Sequence, residues 1–379
     1  MAATLSIRCG SAGKVGGPPD PLRGRPRNRA DPYGRPSGYG VREQRAPGRD
    51  RCDAISHREG PPVTEDAEYD AQRRRRPWRR VLVGVVALSV VGGLVVWLNR
   101  DKITPPDEGC TVTTAAGSGT LELPAAANAA TITAVAMSRG LPERAVTISL
   151  ATAIQESKLR NLEGGDRDSV GLFQQRPSQG WGTIEQIMDP VYATNKFLDA
   201  LVKVNGYAQM PLTDAAQQVQ RSGYPQAYAK HENNATLLAT VLTGREPASL
   251  DCVVHQLPDP HPTDRAEPVP DAANLSDRVR REFGKAVTAA GAEKPAKDPR
   301  EVLALTPQPT ASTAGAGGPG QTGWALAHWS VAQAAELGIG QVAYDGKVWR
   351  VDKPGEGWKP LAGAPSDRVL VTLGAPVKK

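Results

Sequence analysis

The chain has 379 residues, 39% of them hydrophobic, with 46 Lys and Arg against 40 Asp and Glu and only four Cys. That is length for two domains. Much of the basic excess lies before residue 81, in a segment without aromatic interleaving, so no nucleic-acid partner is expected. There is no C-x-x-C, and five histidines are scattered along the chain, so neither a metal nor another cofactor is expected.

Residues 1–72 are rich in Gly, Pro, Arg and Asp and poor in large apolar side chains. Such a segment buries too little surface to offset the entropy of ordering, and a disordered basic tail is predicted. Residues 73–102 hold a six-arginine cluster, Arg73 to Arg76 with Arg79 and Arg80, followed by the uncharged run Val81 to Leu98. As a helix that run is ~27 Å long, enough to span a hydrocarbon core. The arginines assign the tail to the cytoplasm and everything after Leu98 to the outside. A cleaved signal peptide fits less well, because the leader would be unusually long and no A-x-A-like site follows; a signal anchor in the cell membrane is the expectation.

Cys9 and Cys52 then fall inside, and Cys110 and Cys252 outside, where disulfides persist. The outer pair brackets one segment and is expected to form a bridge that stabilises it by ~5 kcal/mol in the chain-entropy model. Residues 103–121 read as a polar linker. Residues 122–253 read as an α-rich domain with few strand signals. Its first helix is Ala-rich and ends at Gly140; the second carries apolar stripes Val146, Leu150, Ile154 and Ile148, Thr152, the pattern of a buried central helix. Further helices are predicted over 189–204, 214–221 and 233–243.

Residues 254–273 form a Pro-rich linker. A small α+β domain is expected over 274–379. It opens with a helix carrying Leu275, Val279, Phe283 and Val287, and contains a low-complexity insert near 306–322. Helix, strand, turn, strand, loop and strand follow, with Asp345-Gly346 as the hairpin turn. The fold class predicted is therefore multidomain: one transmembrane helix, an α-rich domain and a small α+β domain.

Chemistry concentrates in "AIQESKLRNLEGGDRDSVGLFQQRP", Ala153 to Pro177. Glu156 stands at the end of the buried helix, where desolvation and the helix dipole both disfavour a carboxylate, a setting suited to a proton donor. Gly164 and Gly165 allow close backbone approach, and Asp166 and Asp168 stand ready as a second carboxylate. Two carboxyl groups flanking a sugar ring are what glycoside cleavage uses. Gln174 and Gln175 offer amides to sugar hydroxyls; Tyr224 and Tyr228 offer plates for sugar faces. Spacing alone leaves open that these are ordinary solvated loop residues.

The pattern Glu156-Ser157, then Gly171-Leu172-Phe173-Gln174, resembles the lysozyme-like fold of goose-type lysozymes and soluble lytic transglycosylases. The Gly165-Asp166-Arg167 loop is similar to the goose-type one. The resemblance implies an enzyme acting on peptidoglycan glycan strands, with Glu156 as catalytic acid and Asp166 as second carboxylate. Ser157, Asp168, Gln174, Gln175, Tyr224 and Tyr228 would then line the substrate cleft. Two departures leave hydrolase and transglycosylase both open. Arg176 stands where the goose-type pattern has an acid, and "VQRSGYPQAY" replaces the transglycosylase Asn segment. The alternative is a non-catalytic wall-binding or scaffold protein of a cell-envelope complex.

The last segment, "GWALAHW…AAELGIGQVAYDGKVWR", resembles a domain of actinobacterial surface proteins related to zinc D-Ala-D-Ala carboxypeptidases. Arg368 and Leu370 stand where that resemblance expects histidines, and His328 lies in a helix. The resemblance therefore implies a degenerate unit without zinc.

Overall fold

A computed structural model describes residues 66–98, 106–258, 271–292, 300–309 and 318–374. The chain divides into two compact units, Met1–Arg79 and Arg80–Lys379. Helix α1 (Asp66–Leu98) contains a 21-residue stretch, Trp78–Leu98, with an 18-residue window of mean hydropathy 2.7, none of it buried. It is long and apolar enough to cross a membrane. The expected disordered tail lies outside the described residues as far as 65, and 66–72 are helical. Adding turns to an existing helix costs far less than nucleating one, so the apolar run extends backwards into a polar sequence.

The predicted linker 103–121 carries a hairpin instead, β1 (Gly109–Thr114) and β2 (Gly117–Leu121). Its strand signal is weak because Gly, Ala and Ser break up the few strand-favouring residues, Val112 and the threonines. Tertiary pairing supplies what propensity lacks: β1 lies antiparallel to a distant strand, β3 (Leu250–Val253), with Cys110 directly opposite Cys252. Those two cysteines form the expected disulfide.

Between these strands lie α2 (Leu123–Ser138), α3 (Glu143–Ser157), the short α4 (Ile184–Ile187), α5 (Pro190–Leu201), α6 (Leu212–Gln220) and α7 (Glu232–Leu242); all but α4 answer to predicted helices. Helix α3 is buried continuously from Ala145 to Ala153 and packs against α2, α5, α6 and α7. A helix apolar on every side can only be a central one.

The C-terminal segment begins with α8 (Ala272–Phe283), capped by Asp271, whose carboxylate accepts from the Asn274 N–H. The apolar stripe predicted to run on to Val287 stops at Phe283, and Val287 opens β4 (Val287–Gly291). Strand β5 (Val302–Pro307) follows. Of the low-complexity insert, 310–317 lie outside the described residues; helix α9 (Pro319–Ala332) already starts at its far end, with Pro319 in the first turn. Then come α10 (Ala334–Leu337), β6 (Ile339–Tyr344), β7 (Lys347–Arg350), β8 (Lys359–Pro360) and β9 (Val369–Leu373). The sheet order is β4-β5-β9-β6-β7-β8, every pair antiparallel. At the β6–β7 turn Asp345 and Gly346 have φ of 47° and 70°, the two positive values a type I′ hairpin requires.

The segments 122–253 and 274–379 share one apolar core. Helix α9 is buried on all sides between the sheet and a layer formed by α2, α7 and β3. Gly244, at φ 79°, is the point of closest approach: a Cβ there would lie 2.0 Å from the Gln321 carbonyl oxygen. His328 on α9 is fully buried, with Nδ1 2.8 Å from the Val241 carbonyl and Nε2 accepting the Ser249 N–H at 3.2 Å. Burial pushes it down to about 4 against the opposing Val241 bond, so it stays neutral at physiological pH. Both ring nitrogens are thereby committed to joining the segments.

Glu282 makes the other joint. It is fully buried and accepts from Arg278 Nε (2.5 Å), Trp329 Nε1 (2.6 Å) and Thr131 Oγ1 (2.9 Å), so α8, α9 and α2 meet on one carboxylate. Removing one partner of a buried pair strands the other charge and its donors. Glu282→Ala is therefore expected to cost about 3–5 kcal/mol in urea unfolding. Glu336→Ala, which removes the exposed second partner of Arg278, should cost under about 1 kcal/mol.

Candidate functional site

Helix α3 ends in Gln155, Glu156 and Ser157, and each side chain holds a different neighbour. The half-buried Glu156 accepts, through Oε1, a 2.5 Å hydrogen bond from Tyr228 Oη. Gln155 Oε1 lies 3.0 Å from His231 Nε2. Tyr228 and His231 both belong to the short 3-10 helix Pro225–His231, so two parallel bonds pin that segment to the last turn of α3. Ser157 is buried, and its hydroxyl lies 2.7 Å from the Leu172 carbonyl and 3.0 Å from that of Ala153. It faces the loop that follows, and so positions it.

That loop is locked by backbone conformations that non-glycine residues seldom adopt. Lys158, Leu159, Arg167 and Gln174 have φ of 57°, 62°, 60° and 49°. Each costs of order 1 kcal/mol or more, and such costs persist only where surrounding bonds over-determine the geometry. The bonds are present. The Leu159 carbonyl accepts from Asn128 Nδ2 at 2.9 Å, and Val170 and Gln175 exchange backbone bonds of 3.0 and 3.1 Å. Phe173 stacks on Phe197 of α5 at 4.6 Å, and its carbonyl accepts from Gln220 Nε2 at 2.8 Å.

The residues singled out in the sequence divide between two locations. Glu156 and Tyr228 are in direct contact. Gln174 folds back on its own loop, with Oε1 accepting from Ser169 Oγ (3.0 Å) and Nε2 donating to the Gly171 carbonyl (3.2 Å). Gln175 is buried, with Nε2 on the Ala193 carbonyl at 3.0 Å. Asp168 accepts from Arg176 Nε (2.7 Å) and the Ser178 N–H (2.8 Å). The Ser178 backbone and side chain, then Arg176, hold it far below the usual carboxylate range, so it remains an anion. Asp166 is 96% exposed, with Arg167 Nε 4.0 Å away. Tyr224 is 79% exposed and separate from the Tyr228–Glu156 pair. Trp181 is partly buried, its carbonyl accepting from Tyr192 Oη at 3.2 Å.

Burial, then the Glu156 bond and charge, raise the Tyr228 phenol well above its ordinary value, so it donates at any physiological pH. Glu156 Oε2 has no hydrogen-bond partner among the described residues. The unit is a carboxyl with one oxygen held by a permanent donor and the other without a side-chain partner among the described residues. Gln155, Gln220 and His231 were not singled out in the sequence; a polar residue beside a helix end carries no spacing signal until the fold brings its partner close. Glu156 lines neither of two cavities of about 610 and 460 Å³.

Residues 303–369 match a family described as VldE, C-terminal domain. The match runs from β5 to the first residue of β9 and does not reach Glu156. No curated protein matches the chain.

The two loop glycines separate backbone need from ornament. A Cβ on Gly165 would lie 1.7 Å from Gln174 Oε1 and 2.5 Å from Ser169 Oγ, whereas one on Gly164 meets nothing within 4 Å. Gly165→Ala is expected to cost about 1–3 kcal/mol and to open the loop to protease. Gly164→Ala should change stability by less than about 0.5 kcal/mol. Denaturant unfolding and limited proteolysis of both variants check this.

Proposed function

We propose that this protein is a single-pass membrane protein that cleaves peptidoglycan glycan strands, with Glu156 as general acid. The observation that carries the reading is the carboxyl at the end of a buried central helix, clamped through one oxygen by Tyr228 and free at the other. A group so held can deliver a proton to a glycosidic oxygen without reorganising. The resemblance of Glu156-Ser157 and Gly171-Leu172-Phe173-Gln174 to lysozyme-like enzymes supports the same role. Helix α1 supplies the anchor, with the arginines and the tail inside and the disulfide-bonded fold outside.

The second half of the reaction favours a transglycosylase. Asp168 is paired with Arg176 and bonded to the Ser178 N–H, and Asp166 lies on an exposed loop. With no second carboxylate fixed beside Glu156 among the described residues, the sugar's own 6-hydroxyl is the nucleophile that needs least from the protein. Glu156 protonates the leaving oxygen as the glycosidic bond breaks, the oxygen of that hydroxyl bonds to the anomeric carbon, and the Glu156 carboxylate takes up the hydroxyl's proton. The C-terminal segment is read as a carboxypeptidase-like unit without activity: His328 is committed to Val241 and Ser249, and Arg368 pairs with Asp367.

The test is incubation of the oxidised full-length chain with purified peptidoglycan. Muropeptides with 1,6-anhydro ends are expected; reducing ends mean a hydrolase. Glu156→Gln should lower release by at least ~100-fold and Tyr228→Phe by about tenfold. Sedimentation with the wall and no release by the native chain overturns the enzyme and leaves a wall-binding scaffold.

A further inference from the structure

The three-stranded sheet has two edges that are treated differently. Its β3 edge is covered: Trp358 Nε1 donates to the Leu250 carbonyl at 2.8 Å, and Trp349 Nε1 to the Asp251 carboxylate at 2.9 Å. Its β2 edge is bare. Among the described residues the Gly117–Leu121 backbone makes no hydrogen bond outside the sheet, apart from accepting the Thr114 hydroxyl at Gly117. The strand reads Gly-Ser-Gly-Thr-Leu, without the charge or proline that ordinarily blunts an edge.

Behind this edge lies the cavity of about 460 Å³, enclosed by β2, the end of α3 and α7. Ile154, Leu237 and Leu238 give it an apolar floor, and Lys158 and Arg160 stand among its lining residues. Arg160 is neutralised by Glu122 at 2.7 Å. Lys158 makes no ion pair among the described residues, and its backbone is fixed at φ 57° by the bond from its N–H to the Ile154 carbonyl. The groove therefore combines unpaired backbone groups along ~17 Å, one apolar hole and one surplus cation.

We propose that the β2 edge and this cavity dock an extended peptide of a partner protein, which adds a strand to the sheet, places an apolar side chain in the cavity and sets a carboxylate beside Lys158. Backbone groups in a row recognise another backbone, which neither a sugar nor a lipid offers. Successive side chains alternate between faces, so the apolar residue and the acid stand two positions apart in the bound peptide. The site is separate from the cleavage chemistry: Ile154 and Glu156 point about 200° apart around α3.

Fluorescence anisotropy with the full chain in detergent tests this, using the end-capped peptide Thr-Val-Thr-Glu-Thr. Saturable binding is expected, weakened about fivefold when Lys replaces the Glu. N-methylation of one alternate set of peptide amides should abolish binding, while the other set is tolerated. Lys158→Glu should reverse the preference between acidic and basic peptides, and Leu237→Trp, which fills the cavity, should remove the need for Val. No binding at about 1 mM, equal binding of the two charge forms, or equal effects of the two methylation sets overturns the proposal. Each outcome is read without peptidoglycan, so it stands or falls apart from the glycan-cleaving role.

Discussion

A single buried carboxylate ties the segments 122–253 and 274–379 together. Glu282 receives donors from α8, α9 and α2, and each is a group that would be costly to leave unpaired in an apolar core. The consequence reaches the candidate site. Thr131 fixes α2, α2 packs on α3, and α3 carries Glu156 at its end. Gln333 adds to the joint, donating to the Ala127 carbonyl and to Thr131 Oγ1. Helices α8 and α9 of the C-terminal segment are thus joined to the helices that carry Glu156, although that segment's sequence reads as a separate unit.

That dependence explains where sequence reasoning stopped. Helices α2, α3, α5, α6 and α7 were legible because their apolar residues recur at helical spacing within the segment itself. Asp345-Gly346 was legible because positive φ at two successive positions limits the residues that fit. The strands β1, β2, β4 and β5 were not legible. Strands β1 and β5 each have a second partner far along the chain, β3 and β9, and the short strands β2 and β4 carry little signal until those neighbours are in place. The shared core was illegible for the same reason: Glu282 looks like one more acid on a polar helix face until Trp329 and Thr131 converge on it.

At the site the legible part was the acid and the illegible part was its clamp. Glu156 stood out at the end of a buried helix, and Tyr228 was singled out for the face of its ring. What Tyr228 does in the fold is different: its ring is buried and its hydroxyl reaches the carboxyl. Similarly, Ser157, Gln174 and Gln175 were picked as polar groups beside an apolar run. Their polar atoms instead satisfy carbonyls of the loop itself and of α5, as a loop with four left-handed residues demands.

The same loop bears on the choice of nucleophile. An enzyme that activates water needs a base held at fixed distance from the sugar, and holding a base requires bonds to it that leave one lone pair free. Asp168 is held, but both its oxygens are occupied, one by Arg176 and the other by Ser178. Asp166 is 96% exposed, and its contact with Arg167 Nε at 4.0 Å is too long and too solvated to hold it in one place. Neither acid combines the two conditions, and Glu156 is the carboxyl that does, clamped at Oε1 and open at Oε2. In the proposed reaction this one group serves in turn as acid and base, and intramolecular attack by a sugar hydroxyl asks for no second carboxylate.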